Sequence, residues 1–474
     1  MAVPIDFAYS SRRESPRSAR WGCNRNQEES TLYSIKYLAW LIVAIVAIAV
    51  APSVAAGDEQ SAQALDSLAV EAGAQSLRGT TEPIKRHTTA TQQVGRALLF
   101  VPYAGLRVIA WPIEALLEIN ESWEIAKRLG SLAIWSDKQT DVRLLYGYES
   151  SLGLSLFGLQ ATSYDRIESG SKLRVSAAYL NNDNSLAAFR FATTPKRLHY
   201  ELFGRVERTE NRPFYGVGPE SPDDRHAANR RRMLGEVSVH FNPRDPFLVS
   251  ITGYAREERL SDPSNNTPVS EGFPTLFARA SKTQYTGVEA SVALDTRNEG
   301  FYSTSGSLVR FTGGYNESWE NGDEDYYHYS IDIGTFINLY RETRALGLFV
   351  FADGVEADDI SSVPYTEFER LGGRTGGRGY ARYRFVDQTQ LLLIASYRYR
   401  ATNFVMARMF VDWGTVAPDW DSIDLSDIDP SVGFGLSLGR DDRRVDFHVG
   451  HSREGFEFFI GNQTFSDLKS RRLR

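Results

Sequence analysis

The sequence predicts an all-β protein, a transmembrane antiparallel β-barrel of about 16 strands with a short helical N-terminal extension. One observation is a two-residue period of apolar and polar side chains that starts near residue 142 and continues to the C-terminus. In residues 327–339, for example, Tyr327 lies on the apolar face, while His328 and Asp332 share the polar face. The mean hydropathy of -0.34 excludes a bundle of membrane helices but allows a barrel, in which only alternate residues face lipid.

A second observation is the charge on the face that would point inward. A water-filled lumen accommodates such charges, whereas the dry core of a soluble β-sandwich would not. The charged positions on this face are Glu201, Arg205, Asp332, Arg398, Arg400 and Asp412. With about 16 strands, residues 142–465 provide about 20 residues for each strand and its connection, as is typical of membrane barrels. We therefore predict a barrel over residues 142–465, with outward loops at residues 210–231, 261–281 and 316–325.

The N-terminal part of the chain predicts export. Residues 1–56 are typical of a signal peptide with a long n-region: a lysine precedes an apolar run and small residues follow it, with cleavage expected near Ala55 or Ala56. Residues 57–141 are predicted to be a periplasmic linker followed by an amphipathic helical segment, which would lie at the membrane surface or cap the barrel. The single cysteine, Cys23, precedes the predicted cleavage site, which argues against thiol chemistry in the mature chain.

Patterns typical of enzymes are absent from the sequence, which has no G-x-S-x-G, no H-E-x-x-H and no Walker-type glycine loop. His448 and His451 would lie on opposite faces of a strand, so they do not predict a metal site. We predict no catalytic residues, no metal and no cofactor. The formal net charge of -7 argues against nucleic acid as a partner. A barrel lipase that uses His199 and Ser330 is a third hypothesis, which no motif favours.

The most distinctive segment is residues 371–387, which combine four arginines with closely spaced glycines. So basic and flexible a segment does not predict a core strand, although strands precede and follow it. The whole connection, residues 357–388, is too long for a simple turn, and long loops are usually functional or disordered. We predict that it folds back into the barrel interior. An arginine carried there would need a carboxylate partner, and Asp412 on a following strand is the expected one.

These motifs resemble the barrel domain of the BamA/TamA-like bacterial surface antigen family, a family of outer-membrane assembly factors. Arg378, Gly379 and Tyr380 are similar to the family's V/I-R-G-F/Y loop signature, with Gly377 at the usual aliphatic position. The resemblance implies that this loop tucks into the lumen.

Three further matches support the same family. Arg384 and Asp387 are similar to its R-F-x-D pattern, and Asp412 and Gly414 to its D-x-G strand motif. The resemblance implies that the acid of this strand motif pairs with the loop arginine. The end of the chain resembles the family's C-terminal sorting strand, whose apolar positions would be Phe456, Phe458, Ile460 and Phe465, followed by a tail at residues 466–474.

The resemblance implies insertion or translocation of protein, or of lipid, at the outer membrane of the bacterial cell. The partners would be outer-membrane lipid and other outer-membrane or periplasmic proteins. Members of the family carry periplasmic POTRA modules, whose β-α-α-β-β pattern is not recognisable in residues 57–141, so we expect the chain to lack them. A passive pore, an adhesin or a surface antigen without assembly activity is the alternative function.

Overall fold

The computed structural model describes residues 133–462, with short gaps at residues 137–138, 150–152, 166, 168, 182–183, 195–196, 244, 299–301, 320–323, 375, 403–404 and 440–443. The predicted signal peptide, most of the linker and helical segment predicted at residues 57–141, Phe465 and the tail at residues 466–474 lie outside the described residues. The described residues cover most of the predicted barrel.

Sixteen strands of the described chain form a closed antiparallel β-barrel, which confirms the predicted antiparallel barrel and its number of strands. A short strand, β1 (Ala133–Ser136), precedes the barrel. The barrel strands are β2 (Thr140–Glu149), β3 (Gly153–Tyr164), β4 (Lys172–Asn181), β5 (Asn184–Ala192), β6 (Leu198–Phe214), β7 (His226–Phe241), β8 (Phe247–Ser261), β9 (Lys282–Asp295), β10 (Gly306–Ser318), β11 (Tyr326–Tyr340), β12 (Arg344–Glu356), β15 (Thr389–Thr402), β16 (Val405–Ala417), β17 (Ser431–Leu438), β18 (Val445–Ser452) and β19 (Gly455–Asn462). Between β12 and β15, β13 (Glu369–Leu371) and β14 (Phe385–Asp387) form a separate two-stranded sheet.

Side chains alternate between the two faces of the barrel wall, because successive residues of a strand point in opposite directions. On β7, Val237 is 55% exposed, whereas its neighbours Glu236 and Ser238 are buried. The outer face is therefore apolar and the inner face polar, the reverse of a soluble globular protein. Exposed apolar side chains on the outer face include Phe157, Leu159, Val175, Phe189, Leu202, Val206, Met233, Ile251, Val288, Val292, Phe311, Val411, Trp413 and Val432.

The two ends of the barrel differ in the length of their connections. We call the end that carries the β6–β7, β8–β9 and β12–β15 connections the long-loop rim. Two short helices, α1 (Val269–Gly272) and α2 (Pro274–Ala280), lie in the β8–β9 loop. Among the described residues, no helix has the length and apolar character needed to cross a membrane.

The loop predicted at residues 210–231 is shorter than expected, because the β6–β7 hairpin continues into it. β6 extends to Phe214 and β7 begins at His226. Arg212 and Arg230 of this extension point into the lumen and form ion pairs with Glu258 on β8. The Pro-, Asn- and Asp-rich composition predicted an outward loop throughout, but ion pairing inside the barrel accommodates the charged residues of the strand extension.

The barrel closes where β2 meets β19, and within the described residues this seam is short, with three residue pairs. The paired residues are Gly147 with Gly461, Tyr148 with Ile460, and Glu149 with Phe459. By contrast, β18 pairs with β19 from Val445 to Ser452. Towards its start, β2 pairs instead with β1, at residues 141–143.

The register of β2 and β19 at this seam can be tested by cross-linking. Cysteines introduced at Tyr148 and Ile460 should form a disulfide on mild oxidation, because the two residues lie opposite each other across β2 and β19. A Cys23→Ser background removes the only native thiol. Electrophoretic mobility with and without reducing agent measures the cross-link.

The matched control moves one cysteine along the same strand. The pair Tyr148→Cys with Phe456→Cys should not cross-link, because Phe456 lies roughly 13 Å further along β19 than Ile460. Equal cross-linking of the two pairs, or none of either, would contradict the register described for the seam.

Candidate functional site

Residues 357–388, which we call the inward loop, cross the barrel interior and contain the β13–β14 sheet. Glu367 accepts a hydrogen bond of 2.5 Å from Arg256 on β8. Further along the loop, Arg378 contacts Asp412 on β16. β8 and β16 lie far apart in the order of the barrel strands. A single loop can therefore contact both strands only if it crosses the lumen.

The central contact of the inward loop is a two-point ion pair between Arg378 and Asp412. Arg378 Nε donates to Asp412 Oδ2 at 2.7 Å, and Nη2 donates to Oδ1 at 2.5 Å. The backbone N–H of Arg378 donates to the same Oδ2 at 3.0 Å. The guanidinium also lies over the ring of Phe410, 3.5 Å from its centroid. The Asp412 side chain is fully buried, so these three donors replace the water that a carboxylate would otherwise bind.

The inward loop reaches this position through glycine-dependent turns and close backbone contacts. Gly377, next to Arg378, has φ +68°, a left-handed conformation that favours glycine. A Cβ at Gly379 would collide with the backbone of His451 on β18, and a Cβ at Gly450 would overlap the carbonyl oxygen of Arg378. Gly377, Gly379 and Gly450 together allow the loop backbone to lie directly against the wall.

Tyr380 anchors the loop to a small apolar cluster. Its hydroxyl donates a hydrogen bond of 2.8 Å to the carbonyl oxygen of Asp429, in the connection between β16 and β17. Burial raises the pKa of Tyr380 to about 12, so the phenol remains a donor at neutral pH. The cluster around its ring consists of Leu371, Tyr380, Phe385, Leu392, Val416 and Ile428.

Arg384 connects three loops at the long-loop rim. Its Nη1 donates to Ser221 Oγ at 2.8 Å, and its Nη2 donates to Asp223 Oδ1 at 2.5 Å, both in the β6–β7 loop. Its Nε donates to Glu454 Oε1 at 2.8 Å, in the turn between β18 and β19. The guanidinium is almost completely buried, and it ties the inward loop to the strand that closes the barrel.

The other residues selected from the sequence have different environments. Asp387 is buried in β14 and accepts the N–H of Gln388 at 2.8 Å, and burial raises its pKa. Gly414 on β16 leaves no room for a Cβ, which would press against the Leu391 carbonyl of the neighbouring strand. In the predicted sorting strand, Phe456, Phe458 and Ile460 lie on the outer face of β19, where they are 72%, 40% and 39% exposed, while Phe465 lies outside the described residues.

Sequence reasoning overlooked Tyr383, which lies among cationic side chains. It has φ +59°, which is unusual for a residue with a side chain, and Arg382 donates to its hydroxyl at 3.0 Å. Burial alone would raise its pKa, but four neighbouring guanidinium groups outweigh burial and lower the pKa to about 7. They belong to Arg382, Arg212, Arg230 and Arg370.

The lowered pKa of Tyr383 has a consequence for stability. Its pKa is about 7 in the folded protein, against an ordinary value of 10.0. Between these values the unfolded chain binds more protons at this residue than the folded protein, so its contribution to stability increases as the pH rises from about 7 to 10. The arginine-tyrosine-arginine sequence at residues 382–384 was the available signal for this site.

A closed barrel with an apolar outer face and an ion-paired polar lumen defines the class of outer-membrane β-barrel proteins. Within that class, the model of the Omp85 superfamily domain matches residues 144–462. The chain belongs to the Omp85 superfamily, in agreement with the resemblance to the BamA/TamA-like family.

One solved structure agrees on the fold. BamA from Haemophilus ducreyi, in a form that lacks POTRA domains 1–3, is 14% identical, with a TM-score of 0.51, and the match covers 69% of this chain and 70% of that one. CdiB from Acinetobacter baumannii is 11% identical, with a TM-score of 0.45, over 69% of this chain and 60% of that one. A search of curated proteins found no match.

The geometry predicts the effect of removing the loop arginine. Arg378→Ala should destabilise the folded loop by about 3–5 kcal/mol, because it leaves a buried carboxylate without its charged partner. Limited proteolysis of the refolded barrel should show faster cleavage within residues 357–388. Arg341→Ala, at the β11–β12 turn, removes the same charge far from the loop and should leave cleavage unchanged.

A double variant separates charge pairing from other effects. Arg378→Ala with Asp412→Ala should be more resistant to protease than Arg378→Ala alone, because no unpaired carboxylate remains. If the double variant is as sensitive as the sum of the two single variants, the pair does not hold the loop.

A second prediction concerns the close backbone contact. Gly450→Ala should displace the loop, at a cost of about 1–3 kcal/mol, because the new methyl group would overlap the Arg378 carbonyl. Gly313→Ala on β10 is the matched control, since no atom lies within 4 Å of its added Cβ. Thermal unfolding and loop proteolysis should change for Gly450→Ala only, and equal behaviour of the two variants would contradict the contact.

Proposed function

We propose that this protein spans the bacterial outer membrane and aids the insertion or translocation of other proteins there. Its clients would be β-strand proteins of the outer membrane or polypeptides that cross it. The partners are outer-membrane lipid and those client proteins. The proposal rests on membership of the Omp85 superfamily and on one feature of the barrel, the short seam between β2 and β19.

The seam supports this function because, among the described residues, three residue pairs join β2 to β19, so little of the described strand pairing has to break for the barrel to open. Gly147 faces Gly461, so this position has no cross-strand side-chain contact. Once opened, β2 and β19 would each present free backbone N–H and C=O groups. Such strand edges pair readily with another extended chain, which is how β-augmentation captures a client strand.

The outer face supports the same function. Phe456, Phe458 and Ile460 on β19 are exposed beside the seam, and lipid would contact them. A client strand with alternating apolar residues would continue this surface and move into the bilayer without exposing its backbone to hydrocarbon.

The inward loop would link the lumen to the seam. Arg384 bonds to Glu454 in the β18–β19 turn, and Arg378 holds the same loop on β16. A loop fixed at both points restrains the last strand, so we assign it the role of a brace for the closed barrel. Loosening the brace would favour opening.

The test of the function is a quantitative outer-membrane proteome from cells with and without the gene. Loss of the gene should deplete a specific subset of outer-membrane proteins, and the wild-type gene should restore them. The Tyr148→Cys/Ile460→Cys variant should fail to restore them when oxidised and should regain activity when reduced, because its seam is locked.

The uncrosslinked pair Tyr148→Cys/Phe456→Cys serves as the control and should restore the proteome under both conditions. Full complementation by the locked barrel would contradict a role for the seam. An unchanged proteome in cells without the gene would contradict assembly activity itself and favour a pore, an adhesin or a surface antigen.

A further inference from the structure

A second cluster of charge lies in the lumen, away from the Arg378–Asp412 pair. It is formed by side chains of the three neighbouring strands β6, β7 and β8 together with β13 of the inward loop. We call it the arginine cluster, and it consists of Arg205, Arg212, Arg230, Arg232, Arg256 and Arg370. The carboxylates among these side chains are Glu207, Glu258 and Glu367. Six positive groups against three negative ones leave an excess of positive charge.

The carboxylates are already shared among the arginines. Glu258 uses Oε1 for Arg212 at 3.2 Å and Oε2 for Arg230 at 3.7 Å. Glu367 is occupied by Arg256 at 2.5 Å, and it also accepts a hydrogen bond of 2.6 Å from the Tyr326 hydroxyl. Neither Glu258 nor Glu367 provides a full counter-charge for a further arginine.

Of the three arginines that share Glu258, Arg232 is the most weakly neutralised. Its ion pair with Glu258 spans 4.0 Å, the longest of the three to that carboxylate. Its Nε has no hydrogen-bond partner among the described residues. Its side chain is 18% exposed, compared with 9% for Arg230 and 4% for Arg256, so it is more accessible from the lumen than these two arginines.

Tyr383 lies within the same positive potential. Its ring centroid lies 4.9 Å from the guanidinium of Arg212 and 5.2 Å from that of Arg370. Arginines at these distances lower the pKa of the phenol despite its burial. A site that stabilises a phenolate at neutral pH will also stabilise a ligand anion.

We propose that the arginine cluster is a binding site for a phosphate group, which reaches it from the lumen and binds Arg232. A guanidinium fork matches two phosphate oxygens, which suits the partly exposed side chain of Arg232. A phosphate carries about two negative charges, which suits a charge excess of this size better than the single charge of a carboxylate. The site is separate from the seam and does not depend on the proposed assembly activity.

The test uses Tyr383 as a reporter in the full-length protein refolded in detergent. Ultraviolet absorbance of the phenolate follows its ionisation, and Tyr383→Phe identifies the signal. Inorganic phosphate, added at constant ionic strength, should raise the pKa of Tyr383 by roughly one unit in a saturable manner, because bound anion reduces the positive potential. Chloride at the same ionic strength should have no such effect.

Arg232→Gln should weaken phosphate binding roughly tenfold, as expected for the loss of one charge-assisted contact. Arg232 is not among the arginines named above as lowering the pKa of Tyr383, so the reporter should survive the change. Arg259→Gln is the matched control: Arg259 is 52% exposed, and the substitution removes the same charge outside the lumen. Should Arg232→Gln fail to fold, Arg232→Lys, which keeps the charge but lacks the fork, should show intermediate affinity.

A short-chain phosphatidic acid distinguishes the two sources of phosphate. Tighter binding than inorganic phosphate indicates a lipid headgroup, and equal binding indicates soluble phosphate. The proposal is overturned if phosphate acts no differently from chloride or if Arg232→Gln binds as the wild type does. It is also overturned if an acidic peptide raises the pKa of Tyr383 while phosphate does not.

Discussion

The ion pair between Arg378 and Asp412 is the interaction on which the interior of this barrel depends. A carboxylate with no exposed surface is costly to bury, and its cost is offset only by the three donors that Arg378 supplies. Those donors are available only when the loop backbone lies against the wall at Gly450. The pair therefore fixes both the position of the loop and its direction.

The position of Arg378 determines where the other residues of the inward loop lie. Tyr380 falls into its apolar cluster, Arg384 reaches the turn before β19, and Tyr383 is brought among the arginines of β6 and β7. The loop thus joins two regions that the barrel wall alone would leave independent, the closing strand and the arginine cluster. This connection is the physical basis for both the brace and the phosphate site that we propose.

Much of the fold could be predicted from the sequence, because a barrel wall imposes a strict two-residue period on each strand. Alternation in residues 198–207 and 327–339 gave the correct faces: Tyr200 and Tyr327 are exposed, and Asp332 is buried. The pairing of Arg378 with Asp412 was expected as well, since a charged loop inside a barrel needs a counter-charge. The structure places these two residues together.

Other features depend on contacts that are remote in sequence and leave no local pattern. Ser221 and Glu454 meet at Arg384 only because the barrel brings separate loops to one rim. The extension of β6 and β7 was predicted to be a loop from its Pro-, Asn- and Asp-rich composition, whereas strand pairing continues through it and carboxylates on β6 and β8 neutralise its arginines. The environment of Tyr383 likewise depends on arginines from other strands, so it could be recognised only in the folded structure.

Hydrogen exchange at the amide of Arg378 tests the central claim most directly, because this N–H donates to the Asp412 side chain rather than to another backbone group. In the refolded wild-type barrel this amide should exchange slowly. In Asp412→Ala it should exchange at least roughly tenfold faster, while amides of β7 and β8 remain protected. Fast exchange in the wild type, or equal rates in the two proteins, would show that Asp412 does not hold the loop inside the barrel.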